Sequence, residues 1–265
     1  MTKITIKTLL ELKRAKKKIV ALTSYDRVTA SLLDEAGVDI LLIGDSVGMV
    51  KLGLSSTLPV TVEDVAYHTR QVSSARPKAL VVADMPFMSY QVSIEEAIRN
   101  AGRLLKEGAE AVKLEGGREM VPIIQALRKI GIPVMGHVGM TPQSVHAFGG
   151  YRVQGRSKKQ AAAIVADARA IERAGVFSMV VECVPSGLGK QISKSVHVPT
   201  IGIGAGPGCD GQILVVDDLL GLTAPPLPRF AKPYAHLRTT IKKAASDYSR
   251  EVRSGQYPGP AESYQ

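Results

Sequence analysis

The chain has 265 residues, of which 45% are hydrophobic and none is tryptophan, a composition typical of an α/β protein. A chain of this length buries a core large enough to fold without disulfides or a structural metal, and its two cysteines have no spacing that would indicate either. The apolar runs are too short to span a bilayer and no signal peptide is evident, so we expect a cytoplasmic protein with no membrane partner.

The first predicted element is a helix that ends in a dense run of basic residues between Lys13 and Lys18. The formal charge of the whole chain is +10, and a basic surface can attract nucleic acid, membranes or small anions. We interpret the run as a solvated helix end that the helix macrodipole favours. No nucleic-acid-binding motif accompanies it, so we expect no nucleic acid partner and consider an anionic substrate at least as compatible with the charge.

Short apolar runs then alternate with helical patterns along the rest of the chain. Runs of this kind are typical of buried parallel strands, and strand–helix alternation indicates a parallel sheet. Eight repeats in a chain of this length favour a closed (β/α)8 TIM barrel over an open sheet. We therefore predict one α/β barrel domain over residues 1–265, with an N-terminal helix and a C-terminal helix. The predicted strands are 18–23, 38–44, 79–83, 110–115, 132–137, 177–182, 199–203 and 213–216. The predicted helices between and after them are 28–36, 61–75, 93–107, 119–130, 157–174, 185–195 and 233–252.

Residues typical of helix ends support these boundaries. Thr61 and Ser93 each place a hydroxyl before acidic residues, as the first turn of a helix favours. Gly108, Gly131 and Gly175 each follow a helical pattern, at the position where glycine commonly ends a helix.

Four acidic residues, Asp45, Asp84, Glu115 and Glu182, stand at the C-terminal ends of predicted strands. A carboxylate at the end of a buried strand is costly unless a metal, a cation or a substrate contacts it. In a (β/α)8 barrel these strand ends converge on the face where catalysis takes place. For Asp45 a helix cap is the structural alternative, but the long loop after it favours a functional role.

Two basic residues accompany the acids. Lys113 and Glu115 lie two residues apart on the fourth strand, so their side chains should point to the same side of the sheet. A structural ion pair at the barrel mouth is the alternative to a functional pair. His137 ends the fifth strand. From its position it could either contact a substrate or have a buried structural role.

The chemistry of these residues suits a magnesium site. Mg²⁺ prefers oxygen ligands such as carboxylates, whereas the five histidines show no HxH or HExxH spacing that would indicate zinc. A 2-oxo acid could occupy the remaining positions of the ion, which would polarise the carbonyl and stabilise an enolate. Glu182 is the candidate base for the proton. The glycine-rich segment 202–208 is not a dinucleotide motif, because Pro207 stands where GxGxxG requires glycine.

Several long blocks of sequence resemble the ketopantoate hydroxymethyltransferase family, also called 3-methyl-2-oxobutanoate hydroxymethyltransferase. The resemblance covers nearly the whole chain, and so many blocks in the same order make it highly specific. The blocks are LTSYD (22–26), GDSVGM (44–49), STLPVT (56–61), ADMPFMSY (83–90), VKLEGG (112–117), GHVGMTPQS (136–144), GGYRVQGR (149–156), GIGAG (202–206) and CDGQ (209–212).

The resemblance implies transfer of a hydroxymethyl group from 5,10-methylenetetrahydrofolate to 3-methyl-2-oxobutanoate (2-oxoisovalerate), giving 2-dehydropantoate in the route to pantothenate and coenzyme A. It implies a homo-oligomer, often a decamer built as a pentamer of dimers. It also implies roles for individual residues. Mg²⁺ is bound by Asp45 and Asp84 and supported by Glu115; Glu182 accepts the proton; and the 2-oxo acid is contacted by Asp45, Ser46, Asp84, Lys113 and His137.

Two other functions are compatible with parts of the sequence. A Mg²⁺-dependent lyase or mutase of the isocitrate lyase and phosphoenolpyruvate mutase kind would use similar metal chemistry. Those enzymes generally use a catalytic cysteine loop or a phosphorylated substrate, and no cysteine stands between the third and fourth strands here. A basic barrel that binds nucleic acid or anions would explain the charge, but gives no reason for a buried pair of Lys113 and Glu115.

Overall fold

The structure, a computed structural model, describes residues 2–264. Eight parallel strands close into a barrel in chain order, with β8 paired to β1. The prediction of a (β/α)8 barrel is confirmed. The strands are β1 (Ile19–Thr23), β2 (Ile40–Ile43), β3 (Leu80–Asp84), β4 (Ala111–Lys113), β5 (Val134–Gly139), β6 (Ser178–Glu182), β7 (Thr200–Ile203) and β8 (Gly211–Leu214).

Helices cover the strand connections. Thr61 and Ser93 cap the helices that follow them, as predicted, and each accepts a hydrogen bond from the backbone N–H three residues later. Gly175 ends the helix before β6 in the left-handed conformation, with φ of 103°. The helices up to β8 are α1 (Ile6–Arg14), α2 (Arg27–Glu35), α3 (Val47–Val50), α4 (Val62–Ser73), α5 (Ile94–Lys106), α6 (Val121–Lys129), α7 (Lys158–Ala174) and α8 (Ser186–Ser195).

The core consists of the strands and the inner faces of these helices. Every residue of β2, β3 and β4 is buried. Side chains on the inner face of a barrel strand pack in the barrel interior, and those on the outer face pack against the helices. This explains why the strands appear in the sequence as continuous apolar runs instead of alternating patterns.

Two features differ from the predicted elements. β8 begins two residues earlier than predicted, because Gly211 pairs with Ile19 in β1. The two backbones are so close that a Cβ on Gly211 would lie 2.5 Å from the Ile19 carbonyl oxygen. Only a glycine lets the backbones approach so closely, and this cannot be seen in a hydropathy pattern. The predicted loop after β2 contains the short helix α3.

The interpretation of the basic run as a solvated helix end is wrong for two of its lysines. Lys13 Nζ donates to the carbonyl oxygens of Val196 and Val198 and forms an ion pair of 2.9 Å with Asp210. Lys18 Nζ donates to the Pro207 carbonyl oxygen. These lysines satisfy backbone carbonyls in the loops before β7 and β8, so α1 is attached to the N-terminal end of the barrel by long polar side chains.

The residues from Val216 onward form a second compact unit. It contains α9 (Val216–Leu219) and α10 (Leu237–Ser254), so the predicted C-terminal helix is confirmed. Within this unit Gly221 has φ of 65°, and a Cβ on it would lie 2.3 Å from the Ala235 carbonyl oxygen. That the whole chain folds as one domain, and that it forms an oligomer, both stay predictions. Among residues 2–264, no helix is both long and apolar enough for a membrane crossing.

Helix α8 provides a direct test of barrel packing. We expect Gly189→Ala to lower the free energy of unfolding by about 1–3 kcal/mol, because the new Cβ would lie 2.3 Å from the Ala205 carbonyl oxygen. Gly187→Ala, in the same helix, places its Cβ more than 4 Å from any neighbour and should be neutral or stabilising by up to about 1 kcal/mol. Urea unfolding of the two variants measures the difference. Equal stability of both would contradict the packing described for this helix.

Candidate active site

The barrel brings all the predicted site residues to the C-terminal ends of its strands. Asp84 and Lys113 end β3 and β4 and are paired in the sheet, and Glu182 ends β6. Asp45 and Glu115 follow β2 and β4 by two residues, so the backbone directs their carboxylates to the same end of the barrel. His137 lies in β5, and Ser46 follows Asp45.

Lys113 lies at the centre of the cluster. Its Nζ is 2.8 Å from Asp84 Oδ1 and 3.5 Å from Glu115 Oε1. Lys113 and Glu115 therefore do share a face, as their spacing predicted. The lysine is only 4% exposed, and burial by itself would lower its pKa. The charges of Asp84 and Glu115 outweigh burial and raise the pKa of Lys113, so its ammonium group stays charged.

His137 lies between two glutamates. Its Nδ1 is 3.3 Å from Glu115 Oε1, and its Nε2 is 3.3 Å from Glu182 Oε2. Burial and the charge of Lys113 act to lower the pKa of His137, but the two glutamates raise it to about 9. The imidazole is therefore protonated at neutral pH, and both ring nitrogens are donors. Nε2 has no aligned hydrogen-bond acceptor, so the contact with Glu182 is an ion pair only.

The carboxylates exceed the cations in this cluster. Burial raises the pKa of Asp45 well above its ordinary value, and the charges of Asp84 and Glu115 raise it further. Burial also raises the pKa of Asp84, although Lys113 opposes the effect. For Glu115, burial is outweighed by Lys113 and His137, which lower its pKa. Four strand-end carboxylates thus face two basic side chains, Lys113 and His137, and the pKa values are raised at Asp45 and Asp84.

Two buried polar residues belong to the cluster although they were not predicted as site residues. Gln143 donates through Nε2 to Asp45 Oδ2 at 3.0 Å and through its backbone N–H to Glu115 Oε2 at 3.0 Å. The hydroxyl of Tyr90 is 2.7 Å from Gln143 Oε1. Both residues lie in loops after strands, β5 and β3, and that position is the signal in the sequence that could have indicated them.

Ser46 is held by a tyrosine of a third loop. Its Oγ is 2.8 Å from the hydroxyl of Tyr25, which follows β1 and is 1% exposed. The Tyr25 carbonyl oxygen is in turn 2.6 Å from His68 Nδ1 in α4. The orientation of Ser46 is therefore fixed by the barrel.

A cavity of about 460 Å³ adjoins the cluster at Glu115 and His137. Its volume is in the range of small-molecule sites and exceeds what a small 2-oxo acid needs. The apolar part of its wall is formed by Phe87, Met120, Phe148 and Ile164.

The residues fit a divalent cation that keeps water or substrate among its ligands. Within residues 2–264, no three His, Cys, Asp or Glu side chains converge in an arrangement that would hold a metal ion by themselves. Mg²⁺ does not require such a set, since one or two carboxylates commonly suffice. Asp84 Oδ1 and Glu115 Oε1 are buried and have no aligned hydrogen bond, although each lies within ion-pair distance of Lys113 Nζ. The acids of the cluster supply carboxylate oxygens, the ligand type that a hard cation prefers.

A parallel barrel whose strand ends hold buried acids, a lysine and a histidine defines a (β/α)8-barrel enzyme. The family model of ketopantoate hydroxymethyltransferase matches residues 3–260. The 3-methyl-2-oxobutanoate hydroxymethyltransferase of Syntrophus aciditrophicus is 54% identical over 263 residues, which covers 99% of this chain and 97% of the relative. The enzyme of the same name from Staphylothermus marinus is 55% identical, covering 97% and 94%. The chain therefore belongs to the ketopantoate hydroxymethyltransferase family, and the prediction of an enzyme of this kind is confirmed.

The fold is similar to that of more distant enzymes. Phosphonopyruvate hydrolase, solved with oxalate and Mg²⁺, superposes with a TM-score of 0.64 at 14% identity, covering 99% of this chain and 93% of the other. The similarity extends to 2,3-dimethylmalate lyase, a member of the phosphoenolpyruvate mutase/isocitrate lyase superfamily. Its TM-score is 0.59 at 17% identity, covering 98% and 93%. At these identities the similarity shows a shared barrel fold.

We predict that Lys113→Met lowers the free energy of unfolding by about 3–5 kcal/mol at neutral pH, because it leaves buried carboxylates without their central cation. The difference in the free energy of unfolding between Lys113→Met and the unaltered protein should become smaller as the pH falls. In the folded variant the pKa values of Asp45 and Asp84 stay above their unfolded values, so protonation at acid pH stabilises the folded state. Urea unfolding across pH in the presence of a chelator measures the effect.

The matched control is Lys243→Met in α10, which removes an exposed ion pair with Asp247. It should cost at most about 1 kcal/mol. A deficit of Lys113→Met that is small, or that does not change with pH, would contradict the central position of Lys113.

Proposed function

We propose that this chain transfers a hydroxymethyl group from 5,10-methylenetetrahydrofolate to 3-methyl-2-oxobutanoate, giving 2-dehydropantoate. The family and the name of its relatives support the reaction in general. The observation that supports a proton-abstracting site is the position of Glu182. Its side chain is 15% exposed, against 2–3% for Asp84 and Glu115, and it contacts His137. It is the strand-end carboxylate most accessible to a substrate.

Asp45 and Asp84 are proposed to hold Mg²⁺, with Glu115 supporting the site. When bound, Mg²⁺ supplies a Lewis acid that polarises the 2-oxo group. The two acids are buried and adjacent, since the Asp45 backbone N–H donates to Asp84 Oδ2 at 3.2 Å, and this supports the assignment. Lys113 supplies positive charge for the substrate carboxylate, and Ser46 offers a hydroxyl already oriented by Tyr25.

Glu182 is proposed to accept the proton from C3 of 3-methyl-2-oxobutanoate. The electron pair of the broken C–H bond forms the C2–C3 double bond of an enolate. C3 then bonds to the methylene carbon of the folate, and both carbon–nitrogen bonds of that carbon break in the course of the transfer. One water supplies the hydroxyl oxygen. The two folate nitrogens take up one proton from this water and the one that Glu182 removed from C3, and the products are 2-dehydropantoate and tetrahydrofolate. His137 places a positive charge 3.3 Å from the Glu182 carboxylate, and the cavity beside Glu115 and His137 is proposed to receive the folate.

Loss of the C3 proton can be followed without the folate. In deuterated water with Mg²⁺ and 3-methyl-2-oxobutanoate, NMR should show exchange of this proton in the unaltered protein. Because a general base contributes about 10²–10⁴-fold, we expect Glu182→Gln to slow exchange by at least about 100-fold. The control Glu63→Gln, on the exposed face of α4, should exchange at the normal rate. Undiminished exchange in Glu182→Gln would show that another group is the base.

The role of the metal gives a separate prediction. A chelator should stop the exchange, and excess Mg²⁺ should restore it, because the enolate needs the Lewis acid. Asp84→Asn should require a higher Mg²⁺ concentration for half-maximal exchange, whereas Asp247→Asn in α10 should not. Exchange that continues at full rate in the chelator would rule out the metal-dependent mechanism.

A further inference from the structure

Gln143 makes several polar contacts with the site, although no sequence pattern indicated it as a site residue. It lies in the turn Pro142–Ser144 after β5 and is 6% exposed. Its Nε2 donates to Asp45 Oδ2 and to the Met85 carbonyl oxygen, both at 3.0 Å. Its backbone N–H donates to Glu115 Oε2. One residue thus contacts two carboxylates that come from different strands.

Tyr90 determines which end of the Gln143 amide faces Asp45. The Glu115 backbone N–H donates to the Tyr90 hydroxyl at 3.1 Å, so the hydroxyl proton is available for another acceptor. Its shortest contact, 2.7 Å, is with Gln143 Oε1, against 3.2 Å to the Glu115 carbonyl oxygen. Gln91 Nε2 also donates to Gln143 Oε1, at 3.3 Å. The amide oxygen therefore faces Tyr90.

The opposite orientation of the amide would be unfavourable. It would place the amide oxygen against Asp45 Oδ2 and the Met85 carbonyl oxygen, which are both acceptors. It would also bring two donors, the amide NH₂ and the Gln91 NH₂, against each other. Since these groups are buried, each unmatched contact would leave a polar atom without water or a partner and would destabilise that orientation. The network thus fixes the NH₂ of Gln143 on Asp45.

We propose that Gln143, oriented by Tyr90, is a positioning residue that holds Asp45 and Glu115 in place for a divalent cation. This inference rests on the metal site of the proposed function. The Gln143 side chain is held at both ends, and the Asp45 carboxylate that it contacts follows a different strand. Without the amide, Asp45 would lose the donor that fixes its carboxylate, and the ion would have to order the ligand on binding.

Binding of Mn²⁺ to the metal-free protein, followed by electron paramagnetic resonance, tests this inference directly. Gln143→Met keeps the length of the side chain and the backbone donor to Glu115, but removes the amide. We expect Mn²⁺ affinity to fall by about 10–100-fold, as for other groups that orient metal ligands. Tyr90→Phe should also lower Mn²⁺ affinity, but by a smaller factor, because the Gln143 amide loses the bond that orients it but keeps its N–H donors.

The half-saturating Mg²⁺ concentration for substrate proton exchange should rise by the same factor, and the rate should recover at saturating Mg²⁺. A defect of folding alone would not be rescued by metal, and thermal unfolding of each variant checks the fold. The matched control is Gln125→Met on the exposed face of α6, away from the cavity, which should leave Mn²⁺ affinity unchanged.

Three results are possible. Weaker Mn²⁺ binding by Gln143→Met and Tyr90→Phe, with rescue at high metal, supports the inference. Normal Mn²⁺ binding by folded Gln143→Met overturns it and leaves the proposed function intact. If the unaltered protein binds no Mn²⁺, the proposed metal site is overturned, and this inference with it.

Discussion

The contact between Lys113 and Asp84 is the interaction on which the rest of the site depends. An ammonium and a carboxylate lie 2.8 Å apart with almost no exposure to solvent, and further carboxylates surround them. Burial of so much negative charge is tolerated because the cation is at its centre. Hydrophobic residues of similar size in place of both charged partners would be easier to bury, so this arrangement is better explained by chemistry than by stability.

The four carboxylates have different surroundings, which match the different roles proposed for them. The pKa values of Asp45 and Asp84 are raised mainly by burial. Glu115 faces both Lys113 and His137, which lower its pKa. Glu182 is more exposed, and its carboxylate lies 3.3 Å from the outer nitrogen of His137. On the proposed function, residues of one chemical type bind a cation, complete an ion pair and accept a proton within a single cluster.

The polar residues behind the cluster explain how a set of charges on separate strands keeps a defined geometry. Tyr90, Gln143 and Tyr25 come from the loops after β3, β5 and β1, and each hydrogen-bonds to a residue of the site. Parallel strands fix the positions of the backbone, but the carboxylates retain rotational freedom. Buried hydroxyl and amide groups with directional bonds remove this freedom at little cost, because their own partners are satisfied.

The sequence by itself determined the eight strands, the helix caps and the strand-end positions of Asp45, Asp84, Lys113, Glu115 and Glu182. These features depend on local pattern: apolar runs, hydroxyls before a first turn, and the period of two that places Lys113 and Glu115 on one face. The resemblance to a family added the reaction and the choice of Glu182 as the base.

Only the tertiary structure decided the hydrogen bonds of Gln143 and Tyr90, the start of β8 at Gly211, and the hydrogen bonds of Lys13 to backbone carbonyls. Gln143 and Tyr90 are 53 residues apart in the chain, and Lys13 and Asp210 are 197 apart. Hydrogen bonds between residues so far apart in the chain produce no periodic pattern in the sequence of either segment. They exist because closing the barrel brings the two ends of the sheet, and the loops at each end, into contact.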